Sequence, residues 1–223
     1  MRLHLTLTPN TKPVPFNYQH QLTGALHKWL GENDLHDKIS LYSFSWLRGK
    51  FKKIDPDHIT YTNEVEWHIK SHSDVVIKKI KQGIAKDKKV AFGMTVYKHT
   101  TDPTPNFGSV FRFEVDSPVL TRKNIDKKSR KHLTFKDEEA DGCLTRTLRS
   151  KLEKAGFVGN DLEVIAGFDR SYQNAHTKLI EIKDIKLRTS ICPIIVAGTS
   201  KAVQFAWNVG IGEMTGSGFG CLK

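Results

Sequence analysis

The sequence is poor in cysteine, and it contains no long apolar run. Its three cysteines, Cys143, Cys192 and Cys221, are far apart, so they offer no paired metal spacing and are typical of reduced thiols. No apolar run approaches the length of a membrane span, and the chain begins directly with strand-like alternation, which predicts no signal peptide. We therefore expect a soluble, cytoplasmic protein with no zinc site, no cofactor and no structural disulfide.

Acidic residues are also scarce relative to basic ones. The 223 residues include 35 Lys plus Arg against 24 Asp plus Glu, a formal charge of +11. An excess of this size favours a polyanionic partner, of which nucleic acid is the common one, although a charge that only keeps the protein soluble is the simpler alternative. We find neither a helix-turn-helix pattern nor a zinc motif, which argues against a DNA-binding protein.

Hydrophobic periodicity in the first hundred residues predicts the element order β-α-β-β-α-β. Residues 2–8 alternate strictly, with Leu3, Leu5 and Leu7 on one face, as in a half-buried strand. A helix is predicted next, at 18–30, and Gly31 ends it. The remaining predicted elements are strands at 39–47 and 58–69, a helix at 75–84 and a strand at 90–97. This order is that of a ferredoxin-like unit, the fold that RNA-recognition motifs also use.

A polar run with two prolines, residues 100–106, predicts a linker between two domains. We place an N-terminal domain at 1–100 and a C-terminal domain at 107–223. In the second domain the apolar phase shifts within 179–188, which indicates a bulge or a turn near Lys183 and Asp184. The other predicted elements repeat the first plan, with strands at 110–115, 162–166, 191–197 and 218–222 and helices at 137–155 and 200–208.

The C-terminal run 210–220 contains five glycines, which no ordinary helix or strand tolerates. Glycine adopts positive φ cheaply and lets another backbone approach, so we expect a loop whose N–H groups face a ligand such as a phosphodiester backbone. A tight turn that closes the last hairpin is the alternative. The run is not a nucleotide-binding fingerprint, because only three residues follow it and no Gly-Lys-Ser/Thr is present.

The order glycine, apolar, glycine, five residues, glycine, apolar, glycine resembles the C-terminal loop of the CRISPR-associated repeat-RNA-processing endoribonucleases of the RAMP superfamily. The matching residues are Gly210, Ile211, Gly212, Gly218, Phe219 and Gly220. Residues 14–26 resemble the opening helix of that family, and residues 117–119 resemble the motif after the first strand of its second domain. The resemblance implies an α+β fold of two tandem ferredoxin-like (RNA-recognition-motif-like) domains with antiparallel sheets and a C-terminal glycine-rich loop.

The same resemblance implies a metal-independent endoribonuclease that cleaves CRISPR repeat RNA and so produces guide RNAs. Attack by the RNA 2′-hydroxyl would leave a 2′,3′-cyclic phosphate and a 5′-hydroxyl. Repeat RNA is the expected partner, with other CRISPR-associated effector subunits and a second copy of the chain, as a homodimer, as further candidates. The alternative is a non-catalytic RAMP subunit that holds guide RNA in an effector complex.

Such cleavage needs one group to take the 2′-hydroxyl proton, another to protonate the departing 5′-oxygen, and a cation or donor to stabilise the phosphorane. Histidine suits both proton transfers, because its unperturbed pKa is about 6.5. The family has its catalytic histidine in the loop after the first helix, a position that His36 matches, and its second catalytic side chain on that helix, at His27. Lys38 is the candidate cation, with Lys50 and Lys52 as rivals. The alternative for His27 is a cation that merely favours a helix C-terminus.

RNA binding is expected from the glycine-rich run, through Gly210, Gly212, Gly218 and Gly220, and from a dense basic segment. Each phosphate contact would steepen the salt dependence of binding without reading sequence. A solvated loop with no binding role is the alternative for the basic segment. Arg170, between two predicted strands, is a further candidate for the groove of an RNA stem. The basic candidates are Arg122, Lys123, Lys127, Lys128 and Arg130.

Overall fold

The computed structural model describes residues 1–31, 40–126, 129–182 and 184–223. Five positions named above lie outside the described residues: His36, Lys38, Lys127, Lys128 and Lys183. None of the helices within the described ranges is long and apolar enough to cross a membrane.

The first half of the chain contains a four-stranded antiparallel sheet and two helices. Its elements are β1 (Arg2–Leu7), β2 (Val14–Pro15), α1 (Gln19–Leu30), β3 (Tyr42–Phe44), β4 (Phe51–Lys53), β5 (His58–Tyr61), β6 (Val65–Ser71), α2 (Asp74–Lys86) and β7 (Val96–Asp102). The order across the main sheet is β3-β6-β1-β7, and β2, β5 and β4 form a separate small sheet. Without that small sheet, the connectivity is the ferredoxin-like β-α-β-β-α-β.

The core of this half forms as the alternation in β1 predicts. Leu3, Leu5 and Leu7 are at most 1% exposed and share one apolar cluster with side chains of α1 and α2. The two helices touch at Gly83, where an added Cβ would overlap the backbone of Trp29. Glycine at this position therefore allows the helix backbones to approach closely.

The second half repeats this order with two additional hairpins. Its strands and helices are β8 (Val110–Phe113), β9 (Thr121–Asn124), β10 (Arg130–Leu133), α3 (Glu139–Lys154), β11 (Ile165–Phe168), β12 (His176–Ile182), β13 (Ile185–Ile191), β14 (Ile194–Ala197) and α4 (Ser200–Val209), with 3₁₀ turns at Gly159–Leu162 and Thr215–Ser217. The main sheet has the order β11-β14-β8, and Leu222 bridges to Val115 just beyond β8, so the chain end takes the fourth place. The predicted α+β fold of tandem ferredoxin-like units with antiparallel sheets is confirmed.

Several predicted strand positions were wrong. The strand expected at 90–97 is β7, because Phe92 and Gly93 have φ of 53° and 78° and reverse the chain first. β7 thus includes residues 100–102, which were assigned to the linker. The strand expected at 58–69 is divided into β5 and β6, and the edge strand β4, which contains Lys52, precedes it.

Other strands are shorter or later than predicted. Only residues 42–44 of the strand expected at 39–47 pair, as β3. A 3₁₀ turn occupies 159–162, so β11 begins three residues later than expected. The final strand is reduced to the single bridge at Leu222. The turn inferred from the phase shift is confirmed, since β12 and β13 form a hairpin and Asp184 has a φ of 66°.

Polar groups join the two halves through the open face of the first sheet. The Lys70 ammonium, on the buried β6, donates to the Leu222 carbonyl and lies 4.0 Å from the centre of the Trp207 ring. Arg48 forms an ion pair with Asp116, whose side chain is 1% exposed. The N-terminal amine donates to the Asn208 side chain over 2.8 Å. These contacts fix the C-terminal segment against the first sheet.

Candidate active site

The glycine loop, residues 210–220, is packed between the two halves. Gly210, Gly212, Gly218 and Gly220 all have positive φ, between 59° and 87°. A Cβ at Gly220 would overlap the Ile211 carbonyl, and one at Gly212 would lie 2.5 Å from the Leu120 carbonyl oxygen. The repeated glycines are therefore required both by the backbone conformation and by the close approach of neighbouring backbones.

Several backbone N–H groups of the glycine loop donate to carbonyl groups of the protein itself. The Gly210 N–H donates to the Ala206 carbonyl and the Gly220 N–H to the Pro118 carbonyl, both over 2.8 Å. The Gly218 N–H donates to the Thr215 carbonyl over 3.4 Å. This corrects the expectation that these three N–H groups face a ligand. The involvement of the loop in RNA binding stays a prediction.

The glycine loop packs directly on β3 and the residues next to it. A Cβ at Gly216 would overlap the Ser40 hydroxyl and would lie 2.9 Å from Tyr42. A Cβ at Gly218 would lie 2.8 Å from the Phe44 ring. The indole of Trp46 donates to the Gly218 carbonyl over 2.9 Å. The loop thus forms a surface beside Tyr42.

His27, on the last turns of α1, faces the same place. Its Nε2 lies 3.3 Å from the Tyr42 hydroxyl, at hydrogen-bond distance. Tyr42 is buried, which raises its pKa to about 12, and its hydroxyl is also bonded to Ser40. Near neutral pH Tyr42 is therefore an uncharged hydroxyl that can orient the imidazole. Ser40 directly follows the segment that contains His36 and Lys38.

An open cleft of about 520 Å³ lies beside this contact. It is lined by the glycine loop, by one face of α3 and by Ser40, and five of its lining residues carry hydroxyl groups. Cavities of this size accept small ligands or a part of a larger one. The hydroxyl-bearing residues are Ser40, Thr147, Ser150, Thr215 and Ser217.

A basic pocket of about 250 Å³ adjoins the cleft and brings together three of the predicted RNA-binding residues. Arg122 and Arg130 extend from the hairpin β9-β10 to the carboxylate of Glu213 in the glycine loop, over 2.5 and 3.3 Å. Lys123 also lines the pocket and pairs with Glu139 over 2.9 Å. Arg146 of α3 contributes a further cation. Positive charge is in excess here, which suits an anionic ligand.

The other predicted cations lie elsewhere among the described residues. Arg170 follows β11 and pairs with Asp141 of α3 over 2.5 Å, and it does not line the basic pocket. Lys50 and Lys52, the rivals of Lys38, are exposed next to and on β4. Within the described ranges, no three His, Cys, Asp or Glu side chains are grouped as metal ligands.

A family model described as "CRISPR associated protein Cas6, C-terminal" matches residues 99–223, which is more than half of the chain. The chain belongs to the Cas6 family. This confirms the resemblance inferred from the glycine pattern. A search of curated proteins gives no match.

Solved Cas6 structures share the fold over the whole chain. A Cas6-related protein from Pyrococcus furiosus has a TM-score of 0.87 at 22% identity, covering 100% of this chain and 97% of that one. A structure described as an RAMP protein binding different RNA substrates has a TM-score of 0.86 at 20% identity, covering 100% and 98%. A Cas6 product complex has a TM-score of 0.71 at 11% identity, covering 100% and 98%.

Several residues of this candidate site were not predicted from the sequence. Tyr42 and Ser40 were included only in a predicted strand, although an aromatic hydroxyl after the histidine loop was a usable signal. Arg146 was included only in a predicted helix. Lys151 lies at an apolar position of α3, three residues after Leu148, where a lysine is unusual. Glu213, the only charged residue of the glycine loop, pairs with two arginines.

Proposed function

We propose that this Cas6-family chain is a metal-independent endoribonuclease that cleaves CRISPR repeat RNA by attack of an RNA 2′-hydroxyl on the adjacent phosphate. The products are a 2′,3′-cyclic phosphate and a 5′-hydroxyl. The family match supports a function in CRISPR RNA processing. The product complex of a similar Cas6 structure and the RNA-binding RAMP protein support RNA as the ligand.

The proposal rests chiefly on the position of His27, which bonds Tyr42, the residue against which the glycine loop packs. Tyr42 holds one ring nitrogen of His27, and the imidazole is half-buried. His36 lies four residues before Ser40, which lines the cleft. Ser40 lines the cleft and bonds Tyr42, the partner of His27, so a phosphodiester in the cleft would lie next to the Tyr42–His27 pair and to the segment that carries His36.

In the proposed reaction, one histidine takes the 2′-hydroxyl proton and the other protonates the departing 5′-oxygen. Both steps suit imidazole near neutral pH. Lys38 stabilises the negative charge that develops on the phosphorane oxygens. Tyr42 keeps the ring of His27 in a fixed orientation, which lowers the entropic cost of reaching the transition state.

The basic pocket and the glycine loop hold the RNA. Arg122, Lys123 and Arg130, with Lys127 and Lys128 between the two strands of their hairpin, attract the phosphate backbone. Gly210, Gly212, Gly218 and Gly220 allow the loop to pack closely against its neighbours, and the loop lines the cleft at Gly212. Arg170 contributes only if RNA displaces it from Asp141.

The test is cleavage of a labelled repeat RNA in excess EDTA by the wild type, His27→Ala and His36→Ala, with RNA binding measured alongside. We expect wild type to cut at one site, and each variant to bind RNA but cut about 100-fold to 10,000-fold more slowly. His99→Ala, which changes an exposed histidine on β7, is the matched control and should cut normally.

Two results would contradict the proposal. Loss of wild-type cleavage in EDTA would show that a metal is needed. Tight binding by wild type with no cleavage would favour the alternative, a subunit that only holds guide RNA.

A further inference from the structure

Lys151 of α3 is a buried cation that the proposed chemistry does not use. The residue is 2% exposed and lies in register with Leu144 and Leu148, which belong to the apolar core. Burial lowers its pKa to about 7, and the nearby Glu213 carboxylate opposes this shift. A lysine is buried at such cost only when its ammonium is fully hydrogen-bonded.

The ammonium of Lys151 has three acceptors, all at the glycine loop. Nζ donates to the carbonyl oxygens of Val209 and Gly210 over 3.4 and 3.1 Å, and to the hydroxyl of Thr215 over 3.2 Å. An ammonium has three N–H donors, so each is used. The two carbonyls are at the C-terminus of α4, where the helix dipole favours a cation. Lys151 is therefore bound to the loop and has no donor left for a phosphate.

These contacts fix both ends of the segment 210–215. That segment contains Gly210, Gly212 and Met214, which all have positive φ. Glycine backbones have many accessible conformations, so a segment of this kind is ordered only by its contacts. One side chain from α3 thus fixes the distance between the end of α4 and the 3₁₀ turn that Thr215 begins.

The turn that Lys151 holds touches Tyr42, the hydrogen-bond partner of the proposed catalytic residue His27. Gly216 follows Thr215 directly, and it packs against Ser40 and Tyr42. Tyr42 in turn bonds His27. A displacement of the turn would therefore change the wall of the cleft beside the Tyr42–His27 pair.

Lys151 borders the cleft, but all three of its N–H donors are taken by the glycine loop. We infer that Lys151 is a positioning residue for RNA cleavage: it holds the glycine loop against Tyr42, the partner of His27, and does not itself bind a phosphate. The inference rests on the proposed function. It differs from a purely structural role because it predicts a defect in the chemical step, with folding and RNA affinity preserved.

The test uses Lys151→Met, Thr215→Val and the double variant of the full chain. The measurements are the single-turnover cleavage rate at saturating repeat RNA, the Kd for a non-cleavable repeat RNA with one 2′-deoxy nucleotide, and the Tm. We expect Lys151→Met to cut about 10-fold to 100-fold more slowly with its Kd within about threefold of wild type, since small misplacements of this size are costly. Thr215→Val should cut several-fold more slowly.

The double variant tests whether the two residues act as a unit. If they do, it cuts no more slowly than Lys151→Met alone, because residues in one network are not additive. Lys154→Met, on the exposed side of α3, is the matched control and should match wild type. Hydrogen exchange in 210–218 should be faster in both single variants than in wild type.

Other outcomes overturn the inference. Additive effects, or a lower Tm with an unchanged cleavage rate, would leave Lys151 a structural lysine. If Lys151→Met fails to fold, Thr215→Val decides alone, and wild-type cleavage by it refutes the inference. Failure of the proposed function is distinguishable, because then wild type itself binds RNA without cutting.

Discussion

The buried ammonium of Lys151 predicts how the stability of this protein depends on pH. Its pKa falls from an ordinary 10.5 to about 7 in the folded chain. At a pH between these two values, Lys151 is protonated in the unfolded chain and deprotonated in the folded chain. Unfolding then takes up a proton, so the free energy of unfolding rises with pH, and below about pH 7 this contribution is constant.

The magnitude follows from the size of the shift. Each pKa unit corresponds to about 1.4 kcal/mol, and half of the folded chains have already lost the proton at pH 7. Between pH 7 and pH 9 the contribution of Lys151 should therefore raise the free energy of unfolding by about 2 kcal/mol. Lys151→Met has no such group, although its loss leaves the Val209 and Gly210 carbonyls without their donor.

The assay is urea unfolding followed by tryptophan fluorescence at pH 7, 8 and 9, in the absence of RNA. The difference in the free energy of unfolding between wild type and Lys151→Met isolates the titration of Lys151. Every other titrating residue, including the buried Lys70, is present in both proteins. We expect the difference to change by about 2 kcal/mol in favour of wild type as the pH rises from 7 to 9, with m unchanged. A difference that stays constant with pH would show that the folded chain does not hold Lys151 with a lowered pKa.

Three further predictions concern other contacts. Gly220→Ala should lower the free energy of unfolding by about 2 kcal/mol or more, because the new Cβ would overlap the Ile211 carbonyl at a residue with positive φ. Gly108→Ala is the control: its Cβ meets no atom within 4 Å, so the free energy of unfolding should change little in the same urea assay. Arg48→Met leaves the buried Asp116 carboxylate without its guanidinium partner, with His68 3.8 Å away as a remaining partner, and should cost about 3 kcal/mol. Lys223→Met, which breaks an exposed pair with Glu114, should cost under about 0.5 kcal/mol, and equal losses would contradict this contrast. Arg122→Gln should reduce the slope of log Kd against log salt concentration by about 0.7, the value for one lost contact to single-stranded RNA. Lys201→Gln, on the exposed side of α4, should leave the slope unchanged. An unchanged slope for Arg122→Gln would show that Arg122 does not contact the RNA.

The fold could be predicted from the sequence wherever one face of an element is buried. Leu3, Leu5 and Leu7 identified β1, because side chains on a strand alternate between its two faces. The phase shift before Ile185 indicated a bulge or a turn, and the structure has the turn of the β12-β13 hairpin there. Strand ends could not be predicted, because they depend on turns such as the one at Phe92 and Gly93. The short final strand is also a tertiary effect, since Leu222 pairs only through its bridge to Val115.

The candidate site was predicted in part. The glycine spacing identified the family. This spacing is imposed by packing, because a side chain at Gly220 would overlap the Ile211 carbonyl. The hydrogen bond from the Gly220 N–H to the Pro118 carbonyl could not be predicted, since the two residues are about a hundred positions apart in the chain. The pairing of His27 with Tyr42 depends on the packing of α1 against β3, which periodicity does not specify. The roles of His36 and Lys38 stay predictions.

The most direct test of the account replaces the attacking hydroxyl. A repeat RNA with one 2′-deoxy nucleotide on the 5′ side of the cleavage site is compared with the all-ribose RNA, in excess EDTA and with saturating protein. We predict that the all-ribose RNA is cut once, to a 2′,3′-cyclic phosphate and a 5′-hydroxyl, and that the deoxy RNA binds with the same affinity and is not cut. Cleavage of the deoxy RNA at the same place and rate would contradict the central claim, because the nucleophile would then not be the RNA itself.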